Sequence, residues 1–371
     1  MRLKLVTVLG LCLLISAVFQ PAVFAEEAPP ARTIPFNSIG FGAKLSPDGK
    51  TLVTFENIIL RDLKEVDPTL LPMRVIDIST GEERGQLSGY SDYAADVVFT
   101  TGGKRMVSSH MNGDINIWDM ASLKVIKSFH LPIMGMYLPI KMFPDNNHIL
   151  VFNGGIPQSL LVVDLQTGAI TQTLGKRFDS FLDYKTNYIQ FPQQGDIMFA
   201  SFTLSPDGKQ VATATANDEV GIWTLADNQY QVLREKSEKY ALFSIRQMVF
   251  TPDSKSLIYY DYSDKMMHIR DIAAKSDKTV ANIGSDTFAL SADGRMIAWA
   301  TLVKDGPDTV SIAPIDAPDK ATVLLTLPED VRVTSRVTWL EFLKEGKQVV
   351  AGGFFTPEDV PNQIYVLDVP A

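Results

Sequence analysis

One turn recurs in seven imperfect copies along the chain: LSPDGK at 45–50, FTTGGK at 99–104, MFPDNN at 142–147, LSPDGK at 204–209, FTPDSK at 250–255, LSADGR at 290–295 and FLKEGK at 342–347. Pro fixes φ at the second turn position and Gly or Asn accepts positive φ later, which is the chemistry of a strand reversal. Each turn follows an apolar anchor, namely Leu45, Phe99, Met142, Leu204, Phe250, Leu290 and Phe342, at intervals of 54, 43, 62, 46, 40 and 52 residues. After each turn comes a run with β-branched and aromatic residues at near-alternate positions, from TLVTF and RMVSSH through SLIYY to QVVAG. A further run closes each unit: MRVIDI, DINIWD, LLVVDL, EVGIWT, MHIRDI, VSIAPI and IYVLDV, with a weaker fourth visible in LKVIKSF, AITQTL and ATVLLTL.

Helical periodicity is almost absent, and the repeat sits at or above the roughly 40–45 residues of a four-stranded blade. The expected fold is therefore all-β, a seven-bladed β-propeller. A ring leaves no unpaired edge where its first and last blades meet. The last unit supplies three strands, RVTWLEF, QVVAGGF and IYVLDV, while ARTIPFN at 31–37 belongs to no complete unit. The N-terminal strand 31–37 is predicted to fill the outer edge of blade 7, making residues 26–371 a single propeller.

The second unit carries a resemblance. Gly89, Tyr90, Ser91 and Asp92, then Phe99, the Gly102-Gly103 turn and Trp118-Asp119 resemble a WD-repeat blade, and the likeness extends weakly over essentially all of 26–371. Tyr90 stands where that family usually has His, and only Trp118 and Trp223 occupy the third-strand Trp position. The family's His, Ser/Thr, Asp and Trp hydrogen-bonded tetrad is thus expected to be intact in no blade. The resemblance implies closure by an N-terminal strand and a role in docking other proteins.

Residues 1–25 pair Arg2 and Lys4 with an apolar run from Leu5 to Phe19, and end with Val23 and Ala25 at small-residue cleavage positions. This reads as a secretory signal peptide cut after Ala25. The apolar run is shorter than the ~20 residues a spanning helix needs, so no membrane insertion is expected after cleavage. The expected location is periplasmic or secreted. Cys12, the sole cysteine, lies within this segment, which leaves the remainder thiol-free. Removing two cations leaves 32 Lys and Arg against 43 Asp and Glu, a formal charge of −11. Such an excess repels phosphate backbones and anionic headgroups, so nucleic acid is a poor partner.

Turns between first and second strands, and between third and fourth, are short throughout. The long connections join second to third strands (58–72, 303–309, 354–363) or one unit to the next (130–139, 176–196). In a propeller both long classes emerge on one face, the candidate binding surface. Its candidate contact residues are Tyr137, Phe178, Phe181, Tyr184, Tyr188, Phe191, Phe354 and Phe355, since Tyr and Phe are enriched at interfaces. The same rings could equally pack their insertions onto the disc.

The four histidines, His110, His130, His148 and His268, fall in four units, no two at metal-ligand spacing. A structural role is the default for each. His130 with Met134 and Met136 would suit copper, and Asp261 with Asp264 or Asp305 with Asp308 would suit calcium, although Asp in such places ordinarily caps turns. No nucleophile elbow, phosphate-cradling glycine loop or haem-attaching C-x-x-C-H motif is present. The sequence therefore reads as a non-catalytic scaffold docking a protein or peptide, with no cofactor and no metal, either monomeric or within a hetero-complex. The alternative is a lactonase-like enzyme or quinoprotein-like cofactor subunit with its pocket at the central channel mouth.

Overall fold

The computed structural model describes residues 32–36, 41–56, 72–133, 138–154, 158–175, 199–215, 218–235, 244–279, 287–301, 308–327, 336–343, 346–354 and 362–370. Their strands form seven antiparallel four-stranded sheets. Blade 1 comprises Phe41–Leu45, Thr51–Glu56, Met73–Asp77 and Glu83–Leu87. Blade 2 comprises Ala94–Phe99, Arg105–His110, Asp114–Asp119 and Lys124–His130. Blade 3 runs from Ile140–Met142 to Ile170–Gly175, blade 4 from Phe199–Leu204 to Gln229–Arg234, blade 5 from Met248–Phe250 to Asp277–Thr279, and blade 6 from Phe288–Leu290 to Thr322–Thr326. All seven anchors close a first strand. First strands of neighbouring blades adjoin around the axis, and fourth strands lie at the rim.

Blade 7 departs from chain order. Arg336–Phe342, Gln348–Phe354 and Asn362–Asp368 supply its inner three strands, and Arg32–Phe36 pairs with the last of them, Ile34 opposite Ile364. The predicted closure is therefore present. Pro35 suits this position, because a rim strand needs no outward N–H. Ile34, 1% exposed, packs with Leu45, Leu52 and Ile76 of blade 1 and with Val350 and Val366 of blade 7. The Arg32 guanidinium donates to the Ser79 carbonyl of blade 1, so this one strand ties both sides of the seam.

Burial separates the middle strands from the rim strands. Middle strands are covered by blades on both faces, as in Ser159–Asp164, where five of six residues are buried. Rim strands are not. Glu83–Leu87, Gln229–Arg234 and Asp277–Thr279, which the sequence analysis does not name, bury only Leu87, only Leu233 and no residue, respectively.

The recurrent turn closes one face of the disc. Ser46 Oγ donates to Asp48 Oδ1 at 2.6 Å and accepts from the Thr51 amide at 2.9 Å, while Asp48 Oδ1 accepts from the Lys50 amide at 3.1 Å. The same pattern links Ser205 with Asp207, Thr251 with Asp253 and Ser291 with Asp293. These hydrogen bonds, Thr251 and Ser291 foremost in their turns, hold Asp253 and Asp293 below the usual carboxylate range. Gly208, at φ +70°, has a further reason to be glycine: a Cβ there would meet Pro144 of blade 3 at 2.8 Å.

Candidate functional site

Successive connections in an antiparallel blade emerge at alternate ends of its strands, so the long second-to-third and blade-to-blade connections share the face opposite these turns. That face opens into a cavity of about 700 Å³ along the axis, lined among others by Lys44, Lys141, Thr203, Val249 and Glu341. These five are each the residue just before an anchor. Anchors point between blades, and strand alternation turns the preceding side chain into the lumen.

The lumen has two unlike sides. Blades 7, 1 and 3 contribute Glu341, Lys44 and Lys141, with Asp96 of blade 2 buried close enough for its charge to act on both lysines; blades 4 and 5 contribute Phe199, Phe202, Val249, Met248 and Tyr262. Phe202 stacks on Phe152 of blade 3 at 6.1 Å, and the Arg246 guanidinium lies 5.1 Å from the Tyr262 ring centroid. Lys44 Nζ stands 3.8 Å from Glu341 Oε1, the side chains keeping 33% and 30% of their surface open to the lumen. Glu341 Oε2 accepts from the Leu45 amide at 3.3 Å. Asp96 is fully engaged, accepting from the Val97 amide at 2.9 Å and the Ile140 amide at 3.0 Å.

Enclosure alone would lower the Lys44 pKa, but the Glu341 and Asp96 carboxylates outweigh it and raise it. Glu341 is raised, burial exceeding the pull of Lys44. The pair thus combines a firmly charged lysine with a carboxylate that gives up its charge more readily than a free one. Lys141 is lowered, first by burial and then by repulsion from Lys44. No described residue hydrogen-bonds or ion-pairs with its ammonium.

Between blades 1 and 2 lies a buried polar chain. Trp118 Nε1 donates to Ser108 Oγ at 2.8 Å, Ser108 bonds His110 Nε2 at 2.9 Å, and His110 Nδ1 lies 3.0 Å from the Asp92 carbonyl. A carbonyl only accepts, so Nδ1 carries the hydrogen and Nε2 receives Ser108 and, at 3.1 Å, Asn116. Burial lowers the His110 pKa, consistent with this neutral tautomer. The expected gap in the tetrad is answered locally: His110, on the second strand, takes up the serine, and the Tyr90 ring lies tilted against it at 4.8 Å.

A charged cluster joins blades 4 and 5. His268 Nε2 bonds Asp264 Oδ2 at 2.9 Å, its Nδ1 lies 3.6 Å from Asp277 Oδ2, and the ring stacks on Tyr259 at 5.0 Å. Arg270 pairs with Asp277 at 3.3 Å, and Arg234 with the fully buried Asp261 at 2.5 Å. Burial acts to lower the His268 pKa, but the carboxylates of Asp277 and Asp264, both favouring the protonated ring, raise it above 6.5. A raised histidine stabilises most below 6.5, and its contribution disappears as pH climbs through the folded-state value. His268→Gln is accordingly expected to lose stability most below pH 6.5, the gap from the parent narrowing as pH rises. Chemical denaturation across pH 5.5–8.5 checks this; a gap independent of pH would refute the assignment.

The acidic pair expected to cap turns does so, Asp261 accepting from the Ser263 amide at 2.8 Å and Asp264 from the Met266 amide at 2.9 Å. Asp261, Asp264 and His268 offer ligand atoms within 4.8 Å of one another, but Arg234 and the turn amides occupy the carboxylates. Asp305 lies outside the described residues. His130 bonds Asp114 at 2.9 Å, whereas Met134 and Met136 lie outside the described residues. So do Tyr137, Phe178, Phe181, Tyr184, Tyr188, Phe191 and Phe355. Phe354 ends the second strand of blade 7, paired with Arg336; its side chain is not among those described. The channel residues went unnoticed in the sequence, although a charge directly before an anchor, as in AKL, IKM and LEF, was a readable signal.

The fold and channel define a seven-bladed β-propeller of WD-repeat-like architecture. No protein-family model and no curated protein matches the chain. Among solved structures, the β-propeller domain of Myceliophteria thermophila Cps50 (Swd1) is similar at a TM-score of 0.63 and 11% identity, covering 92% of this chain and 100% of that one. At that identity the likeness is one of fold.

Proposed function

We propose that this chain is an exported, non-catalytic scaffold, a divergent relative of the WD-repeat proteins, that docks a protein or peptide partner on the loop-bearing face of the disc. The observation that carries this is the inequality of the two faces. On one, the repeated Ser/Thr and Asp turns spend their polar groups on each other. The other receives every long connection and the mouth of the axial cavity, and loops held by a rigid scaffold are where recognition concentrates. Export rests on the leader-like residues 1–25.

Photo-crosslinking residues placed at Tyr137, Phe181, Tyr188 and Phe355, against controls at Asp48, Asp207 and Asp293 on the turn face, test the docking surface in the native host. Adducts are expected from the first set only; adducts confined to the controls would reverse the orientation. Export is tested separately by N-terminal sequencing of the cell-envelope form, which is expected to begin at Glu26.

A further inference from the structure

The axial cavity has features that a shaft between blades does not require. Its charged side holds four charged groups in one another's fields, and three are already served. Glu341 takes a backbone amide and Lys44, and Asp96 takes two amides. Lys141 remains, its ammonium facing the lumen with no hydrogen-bonding or ion-pairing partner among the described residues, and with Lys44 adding like charge beside it. The Asp96 and Glu341 carboxylates offset only part of the cost of enclosing it beside Lys44, and a bound anion is the simplest remedy.

The surroundings restrict what that anion can be. With Glu341 and Asp96 nearby, a second negative charge would meet repulsion instead of a second free cation, which favours a monoanion over phosphate or a dicarboxylate. Across the lumen, Phe199, Phe202, Val249 and Tyr262 present apolar and aromatic surface. A volume of about 700 Å³ is ordinary for a small-molecule site, and so is a wall that joins aromatic side chains to a few placed charges.

We propose that the axial channel binds a small organic monocarboxylate with an apolar or aromatic body, its carboxylate on the Lys141 ammonium and its body against Phe199, Phe202 and Tyr262. This site is separate from docking on the loops, and either can stand without the other.

Titration calorimetry of the protein with 3-phenylpropionate, its neutral amide and inorganic phosphate tests the proposal. The acid is expected to bind at least about tenfold more tightly than the amide, since a charge-assisted hydrogen bond is lost with the carboxylate, and phosphate is expected to bind more weakly than the acid. Lys141→Gln should erase the preference for acid over amide, and Lys141→Arg should keep it. Equal affinity for acid and amide, tighter binding of phosphate, no binding by a panel of aromatic and aliphatic monocarboxylates, or an unchanged preference in a folded Lys141→Gln protein would each overturn it. The acid and amide comparison on the parent protein decides the matter even if the glutamine variant does not fold.

Discussion

Removal of residues 31–37 is expected to lower the melting temperature by roughly 10 °C or more and to broaden the transition. The loss combines three effects. The ladder between Arg32–Phe36 and Asn362–Asp368 disappears, leaving the latter as an unpaired edge. The cluster of Leu45, Leu52, Ile76, Val350 and Val366 loses the side chain that bridges it. The seam between blades 7 and 1 also loses the Arg32 contact to Ser79. A milder version isolates the packing: Ile34→Ala deletes three buried methyl and methylene groups and is expected to cost about 2–4 kcal/mol. Calorimetric melting of both variants checks the order, with the truncation the more damaging. Equal melting curves for truncated and intact protein would mean that the strand contributes nothing to closure.

The second large effect is expected at Ser108, which is fully buried between Trp118 and His110. Ser108→Ala removes only the hydroxyl, stranding the indole N–H and taking away the donor to His110 Nε2. Two buried polar groups left short, at about 1–3 kcal/mol each before relaxation, give an expected loss of about 2–4 kcal/mol. Trp118→Phe in the Ser108→Ala background should cost less than the two single losses added together, because the orphaned indole N–H goes with it. Full additivity in that cycle would show that the bond is energetically idle. The chain also has a pH signature opposite to that of His268. A histidine held neutral by burial stabilises above 6.5, and that contribution is lost as pH falls through and below this value while the unfolded chain takes up protons.

Much of this architecture was readable because strand reversals are written in a few residue types. Pro47, Gly49 and their counterparts mark each reversal, and the apolar anchors fix which face of every first strand packs between blades. The closing strand was legible by elimination, as ARTIPFN alone lacked a unit. Rim strands resisted for a physical reason: Asp277–Thr279 buries nothing, so no hydrophobic period marks it. The charges of the lumen hid in a different way. Lys44, Lys141 and Glu341 lie two blades apart or more in sequence, at 44, 141 and 341, and only ring closure places blade 7 beside blade 1. Likewise the Trp118 chain was not legible, because it depends on His110 reaching Ser108 from two residues along the same strand.

The most direct test of the ring is amide hydrogen exchange at its seam. In the intact protein, the amides of Ile34 and of alternate residues in Asn362–Asp368 should be protected to nearly the same extent as the middle strands of blade 7, and those of 362–368 that face the N-terminal strand should exchange far faster once residues 31–37 are removed. Unprotected amides at 32–36 in the intact chain, or protection at 362–368 that is indifferent to the truncation, would contradict a propeller sealed by its own N-terminal strand.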